Sequence, residues 1–351
     1  MNGCRYCGKR VLVTGGLGFI GSNLALALLR EGATVKVVDA LVEGCGANEH
    51  NLDEARGAVE IVRADIGDAG AMAEALSGQE VIFNLAGEIS HANSVCFPER
   101  DLDLNARAQL RFLESCRRWA PGARVVYASS RQIYGPPEYL PVDEGHAVNP
   151  VDFNGVHKWA AECYHRLFSV LHGQETASLR LTNVYGPRQA LKLPWQGFIG
   201  TFLRRALRGE EISVFGDGSQ LRDMLYVDDA VEAFLRAGLA PLASGAPWEI
   251  CNLGGPRALT LTEIALTIGG SQVRHVPFPD DRRKIDIGSY YADDSRFRTW
   301  TGWEPRVEFA EGIARTRAFY QEHASDYLRT ETDSADRLAA GAPAMLRAVA
   351  Q

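Results

Sequence analysis

The sequence predicts an α/β fold, a doubly wound parallel sheet followed by a smaller C-terminal lobe. Three observations predict it. Short apolar runs alternate with helix-period segments through the first half of the chain. A glycine trio, Gly15, Gly18 and Gly21, falls where the first run meets the first helical segment, and the second run ends on Asp39. Strands alternating with helices need crossover connections, which pair the strands in parallel and cover both faces of the sheet.

The elements follow in order. Residues 10–14 (RVLVT) read as a buried strand, and SNLALALLREG reads as the helix after the glycine turn, stopping at Gly32. Further strand-like runs are TVKVVD (34–39), VEIVRAD (59–65), VIFNLAG (81–87), ARVVYASS (123–130) and TASLRLTN (176–183). DAGAMAEALSG and NARAQLRFLESCRRW supply helices between them. Past residue 183 the alternation weakens. GFIGTFLRRALRGEE reads as an amphipathic helix, and ISVFGDGSQLRDMLYVDDAVEAFLRAG as strand, turn, strand and a helix starting near Asp228 and Asp229. ALTLTEIALTIGG is another helix, with Thr260 or Thr262 as its cap. The expected organisation is a Rossmann-type domain over 1–183 with 221–251 returning to it, a second lobe from 184–220 and 252–322, and a tail, 323–351, with helical character.

Composition limits the function. With 351 residues the chain can bury a sizeable core. Its 37 basic and 44 acidic side chains give a net charge of −7, which excludes a general nucleic-acid surface but not a phosphate ligand held by a few local arginines. The seven cysteines are odd in number and scattered, so no disulfide framework is expected. Cys4-x-x-Cys7 invites a zinc or redox reading. No second Cys/His pair stands at zinc spacing and the pair precedes the first strand, so no metal is expected. No apolar run reaches the ~18 residues that span a bilayer, and MNGCRYCGKR lacks the apolar stretch of a signal peptide. The expectation is a cytoplasmic enzyme without a membrane or nucleic-acid partner.

The glycine turn carries the first chemistry. Gly15, Gly18 and Gly21 let the backbone approach a pyrophosphate at a helix N-terminus, whose unpaired N–H groups and partial positive charge favour an anion. Asp39 can accept both hydroxyls of a ribose and would repel a 2′-phosphate, so the expected cofactor is NAD and not NADP. Asp65 and Ile66, after the third strand, would flank the adenine.

With these residues stand NLAG at 84–87, Asn105, ASSRQIYG at 128–135, Lys158 with Glu162, RLTNVYGPR at 180–188, FGDGSQLRDMLYVDD at 215–229, NLGG at 252–255 and WTGWEP at 300–305. In their order and spacing they resemble the extended short-chain dehydrogenase/reductase family, and within it the NAD-dependent nucleotide-sugar epimerases and dehydratases, from about Arg10 to about Tyr320. The resemblance implies a nucleotide-sugar-binding second lobe and a UDP-sugar substrate. It implies that Lys158 bonds the nicotinamide ribose and makes the local field positive, and that Ser130 contacts the reacting sugar hydroxyl. Phe19, Ile20, Leu85 and Ala86 would meet the cofactor. Ser90, Arg131, Gln132 and Asn183 would lie on the substrate side, with Arg222 and one of Arg282 or Arg283 gripping the diphosphate. A guanidinium fork suits phosphate oxygens.

The reaction is read from what replaces the family's acids and bases. The resembled dehydratases carry Asp-Glu directly after the Ser/Thr. Here Arg131 and Gln132 follow Ser130, and neither serves as proton donor and acceptor near neutrality. Dehydration and decarboxylation by that route are disfavoured, whereas C4 epimerisation through a transient 4-keto sugar needs neither group. The family's tyrosine, four residues before its lysine, is replaced by Asn154, which has no accessible ionisation. Three readings follow. His157, three residues on along the helix, takes the proton; a water or the substrate does, with Lys158 and Ser130 stabilising the alkoxide; or the protein binds NAD and a nucleotide sugar without turnover. An NAD-linked oxidoreductase or lyase on an unusual nucleotide sugar is the alternative within enzymes.

The resembled enzymes commonly form homodimers through two helices, here about 100–118 and 153–171. Leu104, Leu110, Leu113, Tyr164, Leu167 and Phe168 would supply the apolar stripes.

Overall fold

A computed structural model describes residues 4–193, 197–242, 246–279, 283 and 286–328. Seven parallel strands form the central sheet, in the order β10-β6-β5-β4-β1-β2-β3. They are β1 (Arg10–Thr14), β2 (Thr34–Val38), β3 (Glu60–Val62), β4 (Val81–Asn84), β5 (Arg124–Ser130), β6 (Thr176–Leu181) and β10 (Trp248–Leu253). Strand order reverses between β1 and β4, where Val11 pairs with Val35 on one side and Val81 on the other. Open α/β sheets bind ligands at the carboxyl ends of the strands at such a switch point.

Strand pleating sends successive side chains to opposite faces. Val11, Val13, Phe83 and Val126 pack with α1 (Phe19–Arg30), as do residues of the later helix Val227–Leu239 such as Phe234. Leu12, Ile82 and Val125 point the other way, onto Met72 and Leu76 of α2 (Ala69–Leu76) and onto Phe112 and Cys116. A short helix, α3 (His91–Cys96), precedes α4 (Pro98–Leu102). The chain then passes through a π turn at Asp103–Arg107 into α5 (Ala108–Trp119). That turn buries Asn105 fully, and π turns inside helices commonly mark functional positions. Helix α6 (Phe153–His172) runs beside α5 and is capped by Asp152, which accepts from the Gly155 amide at 2.8 Å.

The second lobe holds α7 (Phe198–Leu207), β8 (Ile212–Phe215), α9 (Leu261–Gly269) and β12 (Val273–Val276), with β8 and β12 paired in parallel. Thr260 and Glu263 close a reciprocal capping box at α9. A three-stranded sheet joins β7 (Asn183–Tyr185), β9 (Leu221–Tyr226) and β11 (Ala258–Thr260).

Two local differences from the sequence reading bear on the site. The run at 176–183 is not one strand: Thr182 turns its hydroxyl onto Asp223 and breaks the ladder, so Asn183 passes to the small sheet. β9, expected to return to the first domain, also pairs in that sheet, and the return is made by α8 (Val227–Leu239) and β10. Cys4 and Cys7 are joined by a disulfide, so the pair is neither free nor a metal site. No cluster of His, Cys, Asp or Glu able to hold a metal occurs among the described residues. Of the tail, Ala324–Tyr327 is helical, and residues 329–351 lie outside the described residues.

No described helix is long and apolar enough to cross a membrane. Of the six residues expected as an association stripe, Leu113 and Phe168 are buried, Leu104 and Tyr164 are half-buried, and Leu110 and Leu167 are exposed. Phe153, Val156, Trp159, Val170 and Leu171 add to the exposed apolar face of α6.

Candidate active site

A cavity of about 730 Å³ runs from the carboxyl ends of β1 and β2 into the second lobe. Its cofactor end is built by the glycine turn. Gly15 sits at φ +64°, and a Cβ there would lie 2.8 Å from the Leu85 carbonyl carbon and oxygen. A Cβ on Gly21 would lie 2.2 Å from the Gly15 oxygen, so this packing of turn against helix needs glycine. Gly18 caps α1 with no side-chain bond to the first-turn amides, and Gly18, Phe19 and Ile20 line the cavity. This is a helix N-terminus open to an anion.

Asp39 follows β2 and lines the same end. Its two oxygens accept from the amides of Leu17 (3.0 Å) and Leu41 (2.9 Å), which fixes the carboxylate plane. Burial raises its pKa, and these two amides oppose the rise. Asp65, Ile66, Leu85 and Ala86 line the cavity beside it, with Asp65 held by the Gly67 amide at 2.7 Å.

Lys158, buried on α6, lines the middle of the cavity. Burial pulls its ammonium down, against the attraction of Asp101 and Glu88. A Cβ on Gly87 would stand 2.7 Å from Lys158 Nζ and 2.6 Å from Asn105 Oδ1, so a side chain here would displace both groups. Asn105 Oδ1 accepts from the Glu88 amide at 3.0 Å, and its buried Nδ2 has no partner among the described residues. An open helix N-terminus, an oriented carboxylate and a buried lysine beside an orphaned amide fit a dinucleotide lying across the switch point.

The substrate end begins at Ser130, the last residue of β5. Behind it, Ser129 donates to Glu162 at 2.6 Å, and Arg180 on β6 grips both oxygens of Glu162. This buried pair ties β5, β6 and α6 together beneath the site. Arg131, Gln132, Asn183 and Arg222 also line the cavity. Arg131 lies over the Tyr290 ring (5.0 Å) and donates to Asn183 Oδ1 at 3.3 Å, and its buried Nη1 has no partner among the described residues. Burial, together with the charge of Arg131, pulls Arg222 down to about 10. The under-paired Arg131 guanidinium, buried and close enough to feel the charge of Arg222, suits an anion. Arg222 donates to the carbonyls of Leu221 and Gly288, which aim it. Beyond them Phe215 and Phe278, 5.8 Å apart, line the far end.

Several expected residues stand elsewhere. Ser90 does not line the cavity; its hydroxyl caps α3 by accepting from the Asn93 amide at 3.1 Å. Asn154 is fully buried outside the lining, donating to the Glu88 carbonyl (3.0 Å) and to Asp101 Oδ2 (2.8 Å). His157 also lies outside the lining, with Nδ1 2.7 Å from Asp101 Oδ1. Their shared partner draws both side chains behind the cavity wall. Arg283 is exposed, lies over Phe278 (5.8 Å) and is not a lining residue, and Arg282 lies outside the described residues. The sequence reading passed over His91, which lines the cavity at α3's first position with Nε2 2.6 Å from Gln132 Nε2. It followed a strand as an isolated histidine, with no signal marking its neighbours in space.

Residues 11–254 match the NAD dependent epimerase/dehydratase family. The chain belongs to that family. It is 36% identical over 321 residues to the UDP-glucose 4-epimerase of Mycolicibacterium smegmatis, covering 89% of this chain and 98% of that one. It is 31% identical over 328 residues to a dTDP-glucose 4,6-dehydratase of an Actinoplanes strain, covering 90% and 99%. The crystal structure of a Thermotoga maritima UDP-glucose 4-epimerase with UDP-glucose superposes with a TM-score of 0.80 at 30% identity, over 90% of this chain and 99% of that one. Its relatives thus include epimerases, dehydratases and, at 31% identity, the UDP-glucuronic acid decarboxylase 1 of Danio rerio, and the family's cofactor is NAD.

Proposed function

We propose that this chain is an NAD-dependent nucleotide-sugar epimerase acting at C4, with a UDP-sugar as substrate. The observation that carries the reading is the wall beside Ser130. The carboxylates that line the cavity among the described residues are Asp39, Asp65 and Asp286. Asp39 and Asp65 follow β2 and β3 at the cofactor end, and Asp286 stands 3.9 Å from Arg222. At the positions after Ser130, where the resembled dehydratases place an acid pair, stand Arg131 and Gln132. Elimination of a sugar hydroxyl needs a proton donor there, and neither side chain supplies one near neutral pH.

The glycine turn, Asp39 and Lys158 would hold NAD, which would supply a reversible hydride acceptor for the oxidation of the sugar carbinol and the return of the hydride to the opposite face. The chain's own groups then have simple work. Ser130 hydrogen-bonds the reacting oxygen, and the buried Lys158 stabilises negative charge developing on it. Arg131, Arg222 and Asn183 hold the anionic part of the substrate, and Phe215 and Phe278 offer an apolar face to the base.

Incubation with UDP-glucose, followed by anion-exchange chromatography of the nucleotide sugars, should yield UDP-galactose with no net NADH. A 4-keto-6-deoxy product, or stoichiometric NADH release, would show a lyase or a dehydrogenase instead.

A further inference from the structure

We propose that His91 and Asp152 form the proton-transfer pair of this site, His91 exchanging the proton of the sugar hydroxyl and Asp152 positioning and balancing its ring. The assignment rests on the epimerase reading and supplies the group that Asn154 cannot be.

Among the described residues lining the cavity, His91 is the one imidazole. Its side chain is 37% exposed, whereas that of Asp152 is 1% exposed. His91 Nδ1 is hydrogen-bonded to Asp152 Oδ2. The other Asp152 oxygen accepts from the Gly155 amide at 2.8 Å, so the carboxylate is locked to the start of α6. Burial alone would raise the Asp152 carboxyl, but the His91 bond and charge, with the Gly155 and Asn154 amides, outweigh it and hold it below the usual carboxylate range. An ionised Asp152 accepts a hydrogen bond from Nδ1–H, which leaves the lone pair on Nε2.

That lone pair faces the substrate segment. Nε2 is 2.6 Å from Gln132 Nε2, two residues after Ser130, so the ring already accepts a hydrogen bond from this wall of the cavity. A sugar hydroxyl held by Ser130 can take the place of the Gln132 amide as the donor to Nε2. The ring does not wander, because α3 is fixed at its start. The Ser90 hydroxyl caps it, and Glu88 Oε1 accepts from the Ile89 (2.8 Å) and Ser90 (2.9 Å) amides. The charged groups that bear on this pair include Glu88 from its own loop, turned onto backbone amides and Cys45, and Arg131, whose guanidinium interacts electrostatically with Asp152. The 130–132 segment faces it with the uncharged Gln132.

The step balances. The hydroxyl O–H bond breaks and its proton passes to His91 Nε2 while the C–H hydride passes to NAD, leaving a C=O double bond. The imidazolium so formed is neutralised by Asp152. On return the ketone receives the hydride, and its oxygen takes the proton back from Nε2. His157 cannot share this work from its place against Asp101.

The test uses the full chain with its NAD and UDP-glucose as the probe, over about pH 5 to 9, which brackets an ordinary imidazole. His91→Asn keeps an N–H for Asp152 but no base. It should lose about 10²–10⁴-fold in kcat with its Kd for UDP-glucose and its NAD content unchanged, and the acid limb of the wild-type pH profile should vanish. His91→Ala should be partly restored by added imidazole, which no structural role would allow. Asp152→Asn should lower kcat with the Kd for UDP-glucose unchanged and displace the acid limb of the pH profile, and ¹⁵N spectra of His91 should lose the Nδ1–H tautomer. A His91→Asn enzyme that keeps wild-type turnover and acid limb overturns the assignment alone. A wild type that binds UDP-glucose but neither converts it nor reduces NAD overturns the epimerase reading and this assignment with it.

Discussion

Asn154 donates its side-chain amide to Asp101 at 2.8 Å, in a site from which both residues are shielded from solvent. The same amide nitrogen reaches the Glu88 carbonyl, so one side chain fastens α6 to α4 and to the β4–α3 loop. An amide moves no proton, and its work here is mechanical. Asn154→Ala should lower the unfolding free energy by about 1–3 kcal/mol, the cost of leaving buried acceptors unpaired. Asn154→Asp should cost more, because it sets a second carboxylate against Asp101. Urea midpoints check both, and an unchanged midpoint in Asn154→Ala would remove the clamp argument.

We expect cofactor selection to rest on Asp39. Calorimetry should find NAD bound more tightly than NADP, and Asp39→Ala should narrow or reverse the difference by removing the repulsion of a 2′-phosphate. Equal wild-type affinities would contradict this. Gly15→Val should abolish NAD binding, because its first side-chain atom meets the Leu85 carbonyl at 2.8 Å in a backbone conformation at φ +64°.

Acid stability should carry the mark of His165. The ring is fully buried, stacks on Tyr127 at 4.2 Å, and has Nδ1 2.8 Å from the Ala161 carbonyl and Nε2 3.2 Å from Asn84 Nδ2. Burial lowers its pKa from the ordinary 6.5 to about 4. A depressed folded-state pKa means the unfolded chain takes the proton first. The stability is whole above pH ~6.5 and is lost as pH falls through about 4, a change on the order of 3 kcal/mol. His165→Gln should flatten that part of the pH dependence in chemical denaturation. A wild-type profile that is already flat between these values would refute it.

We expect a dimer through the exposed face of α6. Trp159 and Leu171 are 42% and 68% exposed, beside Phe153, Val156, Leu167 and Val170, and Leu110 of α5 is also exposed. Apolar side chains concentrated on one exposed helix face favour association. Sedimentation should give a dimer at micromolar concentration, and Trp159→Glu or Leu171→Glu a monomer. A wild type that sediments only as monomer would exclude this surface.

The sheet was legible because its signals are local. The apolar runs at β1, β2, β4 and β5, the glycine turn and Asp39 all lie within short windows, and strand alternation fixes their partners. The break at Thr182 was not legible, since it depends on a hydroxyl meeting Asp223 from a distant strand. Sequence spacing put His157 near Asn154, and the structure turns both onto Asp101, which belongs to another helix. His91 carried no signal at all, because its partner stands 61 residues away and the pairing exists only after α3 and α6 have packed.

Asp152 opens α6, and Lys158 follows six residues later on the same helix. The ring of His91, bonded to Asp152, and the ammonium of Lys158 are thus registered to a single rigid rod. The imidazole itself is carried by α3 and tied to that rod through Asp152, whereas Ser130, carried by β5, keeps a separate frame. The joint between helix and strand is spanned from beneath by Glu162 of α6, which receives Ser129 of β5 and Arg180 of β6, so the frame that carries Ser130 and the frame that carries Lys158 share one buried ion pair.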